Sequence, residues 1–300
     1  MKYLVLGVLF ALSSCMDANP KTLESGVTFE EVLAEYEALN ARLETIAYRL
    51  QSTNVDLCPR TTNDTGILVH LISDYPESIQ PVAQILLGAS DRLSIRKIRA
   101  GSSADQAGLK ANDQILRLGE NWLPSGPTVK TLYESYVAQN ENTHRLSFKR
   151  NTENFDVSII PEKICGYPVN VFFSENINGH TDGKEVWVTS ELMRTVPDDV
   201  NLALVVAHEM AHAIADHIKL SPTKNLELQA DRMALIMMER AGFDIERAVG
   251  YWQHAPHPHG AGNPNSQTHP TMGERLNNFR RSLNDIRNAQ KSGRPLNFEI

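Results

Sequence analysis

An α+β fold is predicted by three changes of pattern along the 300-residue chain. Phe29, Val32, Tyr36, Leu39, Leu43, Ile46 and Leu50 recur at spacings of three and four, the signature of a helix with one apolar seam. Short runs suited to strands then fill residues 64–162. From Cys165 onward the runs lengthen and take the helical period, and one of them carries His208-Glu209-Met210-Ala211-His212. A hydrophobic fraction of 41% and a charged fraction of 22% are those of a globular protein, long enough for two domains. The net charge of -7, with no basic block, argues against nucleic acid as the main partner, because phosphate binding needs clustered Lys and Arg.

The first residues read as a targeting segment. Lys2 supplies a positive charge, Tyr3 to Leu12 an apolar core, and Leu12-Ser13-Ser14-Cys15 resembles the lipobox of bacterial lipoproteins. That resemblance implies a signal peptide over residues 1–14, cleavage before Cys15, lipid on the Cys15 sulfur and a tether over residues 15–27. It implies a lipid-anchored protein of the cell envelope facing the periplasm, with Met16 in place of Asp favouring the outer membrane. Past this segment no apolar run approaches the roughly 20 residues that span a bilayer. An envelope location permits disulfides. A Cys58–Cys165 bridge is therefore favoured over two buried free thiols, and neither cysteine has C-x-x-C spacing.

The seam predicts a helix over residues 28–52 that packs on its own chain. Strands are predicted at Gly66–Val69, Leu93–Ile98, Leu146–Lys149 and Phe155–Ile160. Between them, Gly101 to Leu118 resembles the centre of bacterial PDZ domains: a strand, a short helix, the Ala107-Gly108-Leu109 turn, then Asn112-Asp113 and another strand. Asn112 stands where that family has glycine, and asparagine tolerates a left-handed backbone, so the turn is expected to survive. The resemblance implies a PDZ-like domain over residues 64–162, with Thr128–Val137 as a helix beside a groove for extended peptides.

The remainder, residues 163–300, is predicted mainly helical. Pro168–Phe173 and Glu185–Thr189 read as strands and Asn178–Gly183 as a turn. A long helix is predicted over residues 197–220, with Pro197 in its first turn and Asp198 and Asp199 at its positive end. A second runs over 225–240 and stops at Gly242. Residues 253–270 read as a loop, and the Thr271/Glu274 capping box opens a last helix to about Ala289.

The H-E-x-x-H run sets His208 and His212 one turn apart on a helix face, where both reach one metal ion, with Glu209 placed to act on a water beside it. A catalytic zinc takes three protein ligands and keeps one position open. The metzincin spacing asks for glycine at 215 and histidine at 218, and the chain has Ala215 and Ile218. His217, nine residues after His208, falls on the opposite face of a continuous helix and reads as structural or surface. Glu227 and Asp231 share a face of the next helix; Glu227 is the expected third ligand, and Asp231 the expected acceptor for the outer nitrogen of a zinc histidine.

With these residues in view, H-E-M-A-H-A-I-A-D-H at 208–217, E-L-Q-A-D-R at 227–232, Thr268-His269-Pro270 and Arg275 together resemble the HtpX, Oma and CAAX-prenyl-protease type of zinc metallopeptidase. The resemblance covers residues 165–285 and implies a zincin-type domain of the gluzincin class holding one zinc ion. It places His269 near the metal, as oxyanion stabiliser or as a cap on the open position, and pairs Arg275 with Asp231 or another carboxylate. The implied activity is hydrolysis of peptide bonds in protein substrates, with Glu209 as general base and the strand Val186–Thr189 holding the substrate backbone. A substrate-binding or chaperone-like module with little turnover is the alternative, and the full set of ligands and base argues against it.

Overall fold

The computed structural model describes residues 28–196, 198–252 and 268–296. The expected leader, Cys15, the tether, Pro197 and most of the 253–270 loop, with His254, His257 and His259, lie outside the described residues. The fold is mixed α and β. In chain order it runs α1 (Phe29–Thr53), β1 (Thr61–Asp64), β2 (Ile67–His70), α2 (Gln80–Leu87), β3 (Ser94–Ile98), α3 (Ser103–Gln106), β4 (Gln114–Leu118), β5 (Asn121–Trp122), α4 (Thr128–Gln139), β6 (His144–Arg150) and β7 (Glu153–Ile159). It continues with β8 (Glu162–Cys165), β9 (Val169–Phe172), β10 (Gly179–Thr181), β11 (Val186–Thr189), α5 (Ser190–Thr195), α6 (Asp199–Ile214), α7 (Lys224–Arg240), α8 (Ile245–Trp252) and α9 (Met272–Lys291). The described residues divide into two compact units, one drawn from 28–38 and 62–163 and the other from 39–61 and 164–296. The first ten residues of α1 thus belong to one unit and the rest to the other. Among the described residues no helix is long and apolar enough to cross a membrane.

The first unit is built on an antiparallel sheet of order β2-β3-β4-β6-β7, with β5 on β4. Helix α4 buries Val129, Tyr133 and Val137, spaced four apart on one face, into the apolar cluster that holds Ile95, Ile115 and Phe148. Asn112 takes a left-handed backbone at φ 71°, as expected from its type. The next residue, Asp113, is buried, and its carboxylate accepts from Arg150 Nε and Nη2, each at 2.7 Å. The turn is therefore held by an ion pair to β6, an arrangement that leaves no buried charge unpaired. Helix α2, absent from the sequence expectation, is only eight residues long, carries a proline at its start and ends on Gly88 at φ 63°.

In the second unit β11 lies between β10, antiparallel, and β9, parallel. Helix α6 forms the centre. The Asp198 side chain caps it by accepting from Val200 N at 2.9 Å, and Leu202, Ala203, Val206, Ala207 and Met210 are fully buried. Arg42 of α1 donates to the Asp199 carboxylate at 2.6 Å and to the carbonyls of Met193 and Val196 at 2.8 and 2.9 Å, fixing the start of α6. Cys58 and Cys165 form a disulfide with Cα atoms 5.5 Å apart, closing a 107-residue separation within this unit.

Two expectations about these elements need correction, and one element is additional. The helix predicted over 197–220 ends at Ile214, because Asp216 turns left-handed at φ 55° and the chain folds back into a 3-10 turn at His217–Lys219. The stretch 178–183, read as a turn, contains strand β10, whose residues pair with β11 from Gly179↔Val188 to Thr181↔Val186. Helix α8, with four residues buried, was unforeseen because eight residues give barely two turns of period.

The buried His70 of β2 allows a test of the first unit. Its Nδ1 lies 2.9 Å from the Tyr75 hydroxyl, its Nε2 is buried, and burial followed by the charge of Arg96 lowers its pKa from 6.5 to about 4. The folded value lies below the unfolded one, so this contribution to stability is intact above about pH 6.5 and is lost as pH falls toward 4, a total of roughly 3 kcal/mol. Hydrogen exchange at β2 and β3 is expected to accelerate over that window, and His70→Gln should flatten the dependence. An unchanged slope in that variant would assign the acid response to other groups.

Candidate metal centre

Helix α6 turns His208 and His212 to one side, with ring centroids 4.7 Å apart and Nε2 atoms 3.2 Å apart. Thr223 caps α7 by accepting from Leu226 N, which sets Glu227 in the first turn. Its carboxylate oxygens lie 3.4 Å from His208 Nε2 and 3.5 Å from His212 Nε2. One ligand atom from each of the three residues thus falls within a 4.8 Å cluster. Zinc bonds of roughly 2.0–2.1 Å in tetrahedral geometry place neighbouring ligand atoms about 3.3 Å apart. The two imidazole nitrogens have that separation, and the two Glu227 oxygens lie one against each of them, so two imidazoles and one carboxylate are a donor set that fits a zinc ion.

The outer nitrogen of His208 is held from behind. Asp231, one turn after Glu227 and with no exposed surface, places Oδ1 3.0 Å from His208 Nδ1. Arg275 of α9 donates from Nε to Asp231 Oδ2 at 2.9 Å and from Nη2 to Oδ1. Burial alone would raise the Asp231 pKa, but the Arg275 charge and the His208 hydrogen bond outweigh it and hold it below the ordinary range. Burial likewise disfavours a charged His208, yet its bonds to Asp231 and Glu227 raise its pKa to about 10. Glu227 is held low for the matching reason: its bonds to His208 and His212 overcome its burial. The protein's own groups thus favour positive charge where the ligands converge.

His217 is not on a remote face. Because α6 stops at Ile214 and Asp216 is left-handed, His217 returns to place its Nδ1 3.1 Å from His212 Nδ1, with ring centroids 5.0 Å apart. Burial and the neighbouring His212 lower its pKa. The signal in the sequence was slight: Asp216, a residue type that enters the left-handed region more readily than most, directly precedes the histidine.

These residues open onto a cleft of about 450 Å³ whose walls include Asn178, Gly179, Glu209, His217 and His269. Strand β10 forms one wall. A Cβ on Gly179 would lie 2.9 Å from Val205 Cγ1 and 3.4 Å from Glu209 Cγ, so only glycine lets this strand approach α6 so closely. The assignment of Val186–Thr189 as the strand that holds substrate is corrected, since β11 is paired on both sides and β10 is the edge at the cleft. His269 borders the same cleft, and its Nδ1 lies 2.9 Å from Thr268 Oγ1. His208, Glu209, His212, Glu227, Asp231, Arg275 and His269 therefore gather in one place; Cys58 and Cys165 serve the disulfide, and Cys15 lies outside the described residues.

Residues 159–224 match the model of peptidase family M48, a stretch that contains His208, Glu209 and His212 and ends just before Glu227. The match indicates a metallopeptidase. No curated protein matches the chain. Among solved structures, the crystal structure of the HtrA3 PDZ domain bound to a phage-derived ligand (FGRWV) is similar over 36% of this chain and 93% of that one, at 16% identity and a TM-score of 0.29, a likeness that carries no argument about fold or ligand.

Asp231→Ala tests the arrangement behind His208. It strips the part-buried Arg275 of its charged hydrogen-bond partner, which costs about 1–3 kcal/mol, and removes the outer support of the expected ligand His208, which weakens metal binding about 10–100-fold. Denaturant titration of the metal-free protein and competition with a chromophoric chelator are expected to show both losses. Parental stability and zinc affinity in the variant would remove Asp231 from the site.

Proposed function

We propose that the chain is a zinc-dependent endopeptidase of the bacterial cell envelope that hydrolyses peptide bonds in protein substrates. The observation that carries this reading is the convergence of His208, His212 and Glu227, one ligand atom of each lying within 4.8 Å of the others, with Glu209 bordering the same cleft. A zinc ion held by those three residues supplies Lewis acidity, lowering the pKa of a bound water and polarising the scissile carbonyl. The rest falls to the chain. Glu209 takes the proton from the attacking water and delivers it to the leaving amine, so that one water is consumed and one acid and one amine are formed. His269, its Nδ1 engaged by Thr268, faces the carbonyl oxygen with Nε2 and stabilises the charge that develops there. The free edge of β10 pairs with the substrate backbone in extended form.

Two further parts belong to the proposal. The first unit, with its Ala107-Gly108-Leu109 turn, left-handed Asn112 and edge strands β2 and β7, is read as a PDZ-like module that recruits extended peptide segments. The Lys2 to Cys15 segment supports lipid attachment at Cys15 and a periplasm-facing location, the outer membrane ahead of the inner.

Cleavage of an unfolded protein by the purified chain, its arrest by a chelator and its restoration by zinc are the expected results. Glu209→Gln should keep zinc and lose about 10²–10⁴-fold in turnover, the usual worth of a general base. Full activity in that variant would overturn the mechanism.

A further inference from the structure

The two zinc-ligand candidates on α6 have different partners behind them, and the second of these has no role in the reading above. His208 Nδ1 meets the Asp231 carboxylate at 3.0 Å, whereas His212 Nδ1 meets another imidazole nitrogen, His217 Nδ1, at 3.1 Å. We infer that His217 is a positioning residue: its Nδ1 accepts the Nδ1–H of His212, fixing that ring in the tautomer that presents Nε2 to the metal. This rests on the zinc site proposed above.

The proton count carries the argument. Two neutral imidazoles facing each other through Nδ1 share one proton between those atoms. His212 Nε2 points at His208 Nε2 and the Glu227 carboxylate, and it ligates only with its lone pair free. The His212 proton must then sit on Nδ1 and be donated, which makes His217 the acceptor and puts the His217 proton on its Nε2. Geometry protects the bond. His217 is 8% exposed, so water competes poorly for the contact, and the left-handed Asp216 is what brings the ring back beneath His212 after the helix has ended. The rings meet edge to face, at 77° between planes, so the contact is no stacking accident of two flat rings. The result is that each α6 histidine is oriented from behind by its own neighbour, one drawn from α7 and one from the turn that closes α6.

The test compares His217→Leu with His217→Asn. Asparagine carries Oδ1 on Cγ, as histidine carries Nδ1, and so keeps an acceptor; leucine puts a methyl there and leaves the His212 N–H buried without a partner. Zinc affinity is measured by chelator competition, and the hydrogen-bonded Nδ1–H of His212 is followed by NMR in the zinc-loaded protein. Leucine is expected to weaken zinc about 10–100-fold and to abolish the protected proton signal, as loss of an outer partner does. Asparagine should stay within about threefold of the parent and keep the signal, with the metal-free variants melting alike. Equal affinities for the two variants, whether both parental or both reduced, would overturn the inference in favour of simple packing. Failure of the parent itself to bind zinc, or parental zinc affinity retained in His208→Ala, would instead overturn the site reading on which the inference stands.

Discussion

A carboxylate with no exposed surface is stable inside a protein only if its charge is answered and its lone pairs are occupied. Asp231 meets both conditions, with Arg275 donating to both of its oxygens and His208 Nδ1 3.0 Å from one of them. Those three residues come from α7, α9 and α6, so the pair fixes the mutual placement of three helices at the point where the ligands converge. The same contact orients the His208 ring. Packing and ligand geometry are thereby one constraint: a shift of α9 that broke the pair would leave a buried charge and release the imidazole together. The capping box at Thr271 and Glu274, adjacent to Arg275, anchors the start of α9 and so delivers that guanidinium.

The second constraint is the approach of β10 to α6. Glycine at 179 brings a strand edge within van der Waals reach of Val205 and Glu209. An edge strand carries unpaired backbone donors and acceptors, and this one lies beside the Glu209 carboxylate, which is what the proposed pairing with an extended chain needs. Its sequence neighbours secure it: Thr189 Oγ1 accepts from Asn178 N and donates to Asn178 O, both at 2.9 Å, tying the start of β10 to the end of β11.

The parts of this site that were legible in advance are those governed by helical period. His208 with His212, and Glu227 with Asp231, are each four apart, and each pair falls on a single turn as spacing requires. Asn112 could be read because a residue type and a backbone region go together. The parts that were not legible depend on where an element stops or which neighbour it pairs with. His217 looked remote only because helical geometry was extended through Ala215; one left-handed residue at 216 changed its position entirely. Strand β10 was hidden in a segment of turn-forming residues, Asn178, Gly179, Asp182 and Gly183, whose three-residue pairing is dictated by β11 rather than by local preference. The short helices α2 and α8 escaped because two turns barely establish a period.

Charge explains why the two outer partners differ. Glu227, Asp231 and Glu209 are formally anionic, Arg275 is cationic, and the Arg275 charge is felt by all three. With both imidazoles neutral, as metal ligation would require, three carboxylates against one guanidinium leave a formal excess of two negative charges around the cluster, the complement of a divalent cation. A second carboxylate behind His212 would add a third negative charge in a poorly hydrated place, and no further arginine stands there to answer it among the cleft residues. A neutral acceptor orients the ring without disturbing that balance. An imidazole supplies one, and its ring is large enough to bridge from a turn that has already left the helix. The combination of a charged partner for His208 and an uncharged one for His212 thus suits the single divalent ion proposed for this site.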